Sequence, residues 1–292
     1  MTMSTMALAA LGFGYCTRHL VADDPAAFSS VIGTARTPER LAGLPGGVAP
    51  FLFDGESLSE ALATALAGVD LIIVSAPPDA RGDPVLRCAG RVLETGRLGQ
   101  VVYLTTLGVY GDHGGGWVDE TTPPRAGSPR LERRLAAEQE WFAFGQRRGI
   151  PVSVLRLAGI YGPGRNALEQ LRAGEARRID KPGQVFNRIH VADIVRTIRA
   201  VVDRRFDGIL NVTDDLPAPP GDPIAYAASL LGLPVPPAIP FDEAARDMSP
   251  MALTFWAANK RVANRRLKDE LGVSLAYPTY REGLTALHDQ GA

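Results

Sequence analysis

The chemistry this sequence announces rests on glycines, arginines and a few hydroxyls. Near its start, Leu11-Gly12-Phe13-Gly14-Tyr15-Cys16-Thr17 sets two glycines one residue apart. Such a pair lets the backbone turn tightly and approach a pyrophosphate. A helix starting at once aims its free N–H groups and positive dipole end at the phosphates. Gly12, Phe13, Gly14, Tyr15 and Cys16 are therefore the candidate cradle for a dinucleotide. The third glycine of the usual spacing is replaced by Thr17, where helix–strand packing matters more than phosphate contact. Further on, Val31-Ile32-Gly33-Thr34-Ala35-Arg36 reads as a second strand ending in arginine, with Arg40 beyond it. An acid at this strand end serves the ribose 2′-OH of NAD, whereas arginine serves the 2′-phosphate of NADP. Arg36 points to NADP, with NAD as the alternative.

These residues need strands and helices to hold them. Met6–Ala10 is a short apolar run before the turn, and helix-like sequence follows it. Thr37-Pro38 opens a helix as N-cap and first helical residue. Further strands are expected at Phe51–Phe53, Val69–Ser75, Val101–Thr105 and Val152–Arg156, with helices between them. Val69–Ser75 is apolar almost throughout, as a strand covered on both faces should be. Alternating strands and helices predict an α/β doubly wound parallel sheet, a Rossmann fold, with a smaller C-terminal substrate lobe. The expected strand order is 3-2-1-4-5-6, with a later strand at Ile209–Val212. The nucleotide-binding domain is expected to span 1–165, with 186–215 returning to it, and 166–185 and 216–292 to form the lobe. Lys260–Leu271 is expected to be a final amphipathic helix, followed by Tyr277–Leu284. At the carboxyl ends of strands four and three, Ser75-Ala76-Pro77 and Asp54 would lie beside a bound dinucleotide.

Bulk properties exclude several classes. The 292 residues are 46% hydrophobic and 22% charged, a balance normal for a globular protein. A net charge of −1 gives no electrostatic case for nucleic acid or an anionic membrane as partner. Cys16 and Cys88 have no metal-ligand spacing and imply no disulfide framework. A basic leader and a membrane-length apolar run are both lacking, so a cytoplasmic protein with a small-molecule substrate is expected, and a homodimer is compatible with that.

The motifs together resemble the extended short-chain dehydrogenase/reductases, the NAD(P)-dependent epimerase/dehydratase group. The resemblance runs through Gly12-Phe13-Gly14, Val102–Gly111, Leu155-Arg156 with Gly159-Ile160-Tyr161-Gly162-Pro163, and Ile189-His190-Val191-Ala192-Asp193-Ile194. It implies that Thr105-Thr106 ends the strand bearing the catalytic hydroxyl, with Thr106 as that hydroxyl. It implies that Tyr161 lies in the nicotinamide-side turn and that Asp54 meets the adenine amino group. The family's proton relay is a tyrosine with a lysine four residues later, and a glutamate commonly stands four residues after that. Glu138 fits the glutamate, which puts Arg134 at the lysine and Arg130 at the tyrosine. Arginine stays charged and moves no proton at neutral pH, so Arg134 is expected to bind the ribose or an anionic substrate. The chain is thus identified as an atypical member, without the Tyr-x3-Lys pair.

Other groups could then carry the proton. Tyr110 does so only if its hydroxyl faces a cleft, and otherwise it packs under the loop. His113, beside Asp112 and a glycine run, has a suitable intrinsic pKa, unless it is simply a solvated loop residue. Thr106 serves either substrate oxygen or local backbone. Arg165, Arg188 and Lys181 are candidate holders of a phosphate-bearing substrate. Two functions fit: an NADP-dependent oxidoreductase or epimerase/dehydratase acting on a small polar metabolite, free or nucleotide-linked, and a non-catalytic NADP-binding sensor or scaffold.

Overall fold

The computed structural model describes residues 5–291. Its main sheet has seven strands: β1 (Met6–Leu11), β2 (Phe28–Ala35), β3 (Val48–Leu52), β4 (Leu71–Val74), β5 (Gln100–Thr106), β6 (Val152–Leu157) and β7 (Gly208–Val212). They are ordered β3-β2-β1-β4-β5-β6-β7, the order expected from the sequence. β1 pairs in parallel with β2 on one side and with β4 on the other. The chain therefore runs outward from β1 in both directions, which opens a crevice at the carboxyl ends of β1 and β4. Gly12 follows β1 and Ser75 follows β4. β4 is buried at every residue, as its unbroken apolar sequence requires.

The connecting helices are α1 (Tyr15–Asp23), α2 (Pro38–Ala42), α3 (Glu60–Ala67), α4 (Pro84–Thr95) and α5 (Pro129–Arg148). Pro38 occupies the first helical position of α2 after Thr37, as the sequence predicts. α4 is fixed to α5 by one carboxylate. Asp83 Oδ1 accepts from the N–H groups of Val85 and Leu86, capping α4. Asp83 Oδ2 accepts from Trp141 Nε1 at 3.1 Å. Trp141 is fully buried and packs edge-on to Phe144. Asp83→Ala would uncap α4 and leave the buried indole N–H without a partner. The cap contributes about 1 kcal/mol and an orphaned buried donor costs about 1–3 kcal/mol. Burial raises the Asp83 pKa, so removing the carboxylate returns part of this. The expected loss is about 2–3 kcal/mol in urea unfolding, and Asp83→Asn, which keeps one capping oxygen, should lose less. A loss near that of a neutral surface substitution, about 0.5 kcal/mol or below, would remove Asp83 from this role.

The chain falls into two compact units. The first runs up to Thr105 and adds Pro129–Leu155 and Ile198–Ile209. Its core includes Leu11, Leu62, Ile72, Val101 and Trp141. The second takes Thr106–Ser128, Arg156–Thr197 and the chain from Leu210 onward. Two apolar clusters organise it, one around Tyr161, Leu168 and Leu284, the other around Leu107, Tyr110, Val118 and Val262. The expected boundaries differ from this partition: 106–128, 156–165, 186–197 and 210–215 fall with the C-terminal part. A short parallel pairing of Trp117–Val118 with Arg261–Val262 ties the first of these segments to it. The same pairing corrects the expected helix over Lys260–Leu271. Arg261–Val262 is extended, Val262 N–H donates to Asn187 Oδ1 at 2.9 Å, and only Arg265–Asp269 is helical. The closing helix spans Tyr280–Asp289 and starts with a capping box between Thr279 and Glu282. Among the described residues, no helix is long and apolar enough to cross a membrane.

Candidate functional site

In the first unit the glycine turn is held from both neighbouring strands. Gly12 N–H donates to Thr34 Oγ1 at 2.8 Å, and Phe13 N–H donates to the Thr34 carbonyl. Ser75 Oγ donates to the Gly12 carbonyl at 2.6 Å. Gly12 has φ +94°, and a Cβ there would stand 2.7 Å from Ser75 Oγ. Only glycine fits that backbone. Gly14 differs: a Cβ there would meet nothing nearer than the Gly12 carbonyl at 3.8 Å. Gly14 is the N-cap of α1 and has no side chain to cap that helix. Ser59, Asp83 and Thr279 do cap their helices. The open side of the turn thus presents a helix N-terminus with room in front of it, which suits a pyrophosphate.

The other expected cofactor residues of this unit have separate tasks. Arg36 follows β2 directly and is exposed, with no ion-pair partner among the described residues. Asp54 is exposed, and its Oδ1 accepts from Glu56 N–H at 2.9 Å, so one oxygen shapes a turn and the other is available. The Ser75 hydroxyl is spent on Gly12, which makes Ser75 a positioning residue of the turn. Ala76 N–H donates to the Leu11 carbonyl, and Pro77 is exposed beyond it. Thr105 is buried, and its hydroxyl has no partner among the described residues. On α5, Arg130 and Arg134 are half-buried and close enough for Arg134 to lower the Arg130 pKa, after the larger effect of burial. Arg134 also acts electrostatically on the buried Tyr103 of β5, as does the buried Glu138. The arginines expected at the relay positions therefore lie on the sheet side of α5.

The second unit holds the expected proton carriers. Thr106 caps the 3-10 turn Leu107–Tyr110: its Oγ1 accepts from Gly108 N–H at 3.1 Å, and its own proton stays available to donate. Tyr110 is corrected. Its side chain is fully buried, its hydroxyl donates to Asn211 Oδ1 at 2.8 Å, and the Arg156 guanidinium lies 4.9 Å from its ring centroid. Burial raises its pKa. It is a core residue of the loop and cannot meet a substrate. His113 is half-buried, with Nε2 3.0 Å from the Tyr110 carbonyl. Nε2 must donate there, which leaves Nδ1 as the acceptor.

The Tyr161 side chain turns toward the C-terminal cluster. Its hydroxyl donates to the Thr279 carbonyl at 3.3 Å, and its ring packs edge-on to His190. The side chain is thus committed to the C-terminal cluster. Arg165 and Arg188 come together on the wall of one cavity, whereas Lys181 donates to the Trp256 carbonyl over the Phe241 ring. Sequence reasoning passed over Lys260. It is buried, its Nζ donates to the Gly111 carbonyl at 2.9 Å, and burial pushes its pKa down to about 8. The available signal was a lysine in a chain whose cations are nearly all arginine.

A model of the NAD dependent epimerase/dehydratase family matches residues 85–212. A 3-diazoavenalumate denitrifying reductase from a Streptomyces species is 30% identical over 178 residues, 57% of this chain and 58% of that one. The chain therefore spans little more than half the length of that relative. A conserved protein of unknown function from Silicibacter pomeroyi DSS is 47% identical, covering 98% of this chain and 99% of its own, with a TM-score of 0.88. A Methylobacillus flagellatus structure assigned to the NAD-dependent epimerases/dehydratases is 25% identical over 99% of both chains, with a TM-score of 0.73.

Proposed function

We propose that this chain, whose residues 85–212 match a model of the NAD dependent epimerase/dehydratase family, is a member of that family, binds NADP in preference to NAD and acts as an oxidoreductase or epimerase/dehydratase on a small polar metabolite. The observation that carries this reading is the Gly12–Gly14 turn at the start of α1, where a Cβ on Gly14 would meet nothing nearer than 3.8 Å. A bound nicotinamide dinucleotide supplies hydride transfer. This chain's residues would do the rest. Gly12 and Gly14 admit the pyrophosphate, Ser75 holds the turn, and Asp54 offers a carboxylate oxygen. Thr106 would donate to a substrate oxygen, and His113 is the remaining candidate for the proton.

The choice of NADP is supported by Arg36, a cation at the strand end with no ion-pair partner among the described residues. A charge-assisted hydrogen bond contributes about 1.5–3 kcal/mol, so Arg36→Ala should weaken NADPH about tenfold or more and NADH little. Fluorescence titration of both cofactors decides this, and equal losses would assign the 2′-phosphate elsewhere. A second reading, a non-catalytic NADP-binding sensor or scaffold, is favoured by one observation: arginines fill the relay positions and Tyr110 is sealed in the core. Hydride transfer from NADPH to any carbonyl substrate, measured by absorbance, would exclude it.

A further inference from the structure

The second unit contains a cavity of about 250 Å3. Its walls include the rings of Tyr161 and Tyr280 and the apolar side chains of Pro223, Ile224 and Leu284. Arg165 and Arg188 add cations to this apolar lining, and Arg188 is the one held in place by the chain's own carbonyls. Its Nη1 donates to the carbonyls of Phe186 at 3.1 Å and Ala218 at 3.3 Å, which fixes the guanidinium plane. Its carbon lies 5.9 Å from the Tyr280 ring centroid. Nε and Nη2 have no hydrogen-bond partner among the described residues, and no carboxylate there lies within ion-pair distance.

The neighbouring acid is Asp214. Its Oδ1 accepts from Leu216 N–H at 3.2 Å, while its buried Oδ2 has no hydrogen-bond partner among the described residues. Burial pushes the Asp214 carboxyl up to about 8, so near neutrality it is mainly an uncharged acid. Arg188 cannot lose its own charge, although burial lowers its pKa. A desolvated cation without a counterion is costly, and its free N–H pair matches the planar fork of a carboxylate. The cavity is smaller than the ~300–1,000 Å3 of sites for drug-sized ligands. Its tyrosine walls suit a flat ring or conjugated chain. A dianion would also face Asp222, whose charge acts on both Arg188 and Tyr280.

We propose that this cavity is a binding site for small, flat monocarboxylic acids, aromatic or conjugated, with Arg188 holding the carboxylate and Tyr161 and Tyr280 flanking the unsaturated part. The site goes beyond the redox reading and needs no bound dinucleotide, so either can fail without the other.

Calorimetric titration of the full chain tests it, with benzoate, benzamide and inorganic phosphate as probes. Benzoate should bind saturably, benzamide at least about tenfold more weakly because the charged bond is lost, and phosphate more weakly than benzoate. Arg188→Gln should erase the preference for acid over amide. Ile224→Phe fills the cavity without touching Arg188 and should weaken benzoate about tenfold or more. If Arg188→Gln does not fold by circular dichroism, the acid–amide comparison in the unmodified protein and the Ile224→Phe titration still decide. Equal affinity for acid and amide, tighter binding of phosphate, unchanged benzoate binding in folded Ile224→Phe, or no saturable binding of benzoate each overturns the proposal.

Discussion

Gly14→Val should abolish dinucleotide binding while the protein stays folded. The two halves of this outcome come from different observations. Folding survives because Gly14 has φ −104° and a Cβ there meets only the Gly12 carbonyl at 3.8 Å. The exchange of glycine for valine at an N-cap costs about 1 kcal/mol or less. Binding fails because the branched side chain stands in front of the α1 amides. Losing two charge-assisted bonds at about 1.5–3 kcal/mol each predicts a fall of at least about 10²-fold in affinity. Calorimetry with NADPH and NADH, beside a thermal melt, reads both halves. The neighbouring glycine gives the contrast: Gly12→Val must strain a backbone at φ +94° and press on Ser75, so it should damage the fold itself. Normal cofactor binding by folded Gly14→Val would place the cradle elsewhere.

The double change Arg130→Tyr with Arg134→Lys should raise reductase turnover by about 10²-fold or more. General acid–base catalysis supplies about 10²–10⁴-fold, and arginine supplies none of it because its proton does not leave. The two positions are four apart on α5, so they share a face. Both are half-buried, and Arg134 acts on Tyr103 of β5, which sets that face toward the sheet. The shorter tyrosine and lysine fit where two guanidiniums already sit. NADPH oxidation against a panel of small carbonyl compounds compares the two proteins. A parent protein already fast and a slower double mutant would show that another group carries the proton, with His113→Ala the next change to make.

Much of this architecture is legible in the sequence, for reasons that particular elements show. β4 is covered on both faces, so burial alone dictates its apolar run and its place at the centre of the sheet. The order around β1 follows because parallel strands joined through helices allow few arrangements. Gly12 and Arg36 are readable because each answers a local demand, one for backbone conformation and one for charge. The segments that were misread depend on distant partners. Arg261–Val262 carries helix-like sequence, but its neighbours Lys260 and Asn259 are bound to Gly111 and Asp112. The sequence leaves open whether the Tyr110 hydroxyl faces a cleft or packs under the loop, and it places Arg156 only on a strand. Their burial together depends on Asn211 meeting the tyrosine hydroxyl, and no periodicity announces that pair. Arg188 likewise becomes informative only when Tyr280, from the closing helix, comes to lie beside it.

The stitching of the loop after β5 to the end of the chain also bears on how the protein folds. Lys260 and Gly111 are bonded across 149 positions of sequence, and Asn259 and Asp112 across 147. The first unit itself is not complete until Ile198–Ile209 has emerged. On a ribosome, then, the loop that carries Tyr110 and His113 waits for nearly the whole chain before its partners exist. Contacts of such high sequence separation carry a large loop-closure cost and form slowly. The β1–β4 region, built from neighbouring segments, can collapse first, and the loop would be the last part to settle. During that interval Val118 lacks its partner Val262, so apolar surface of the half-made protein stays open to association with its neighbours.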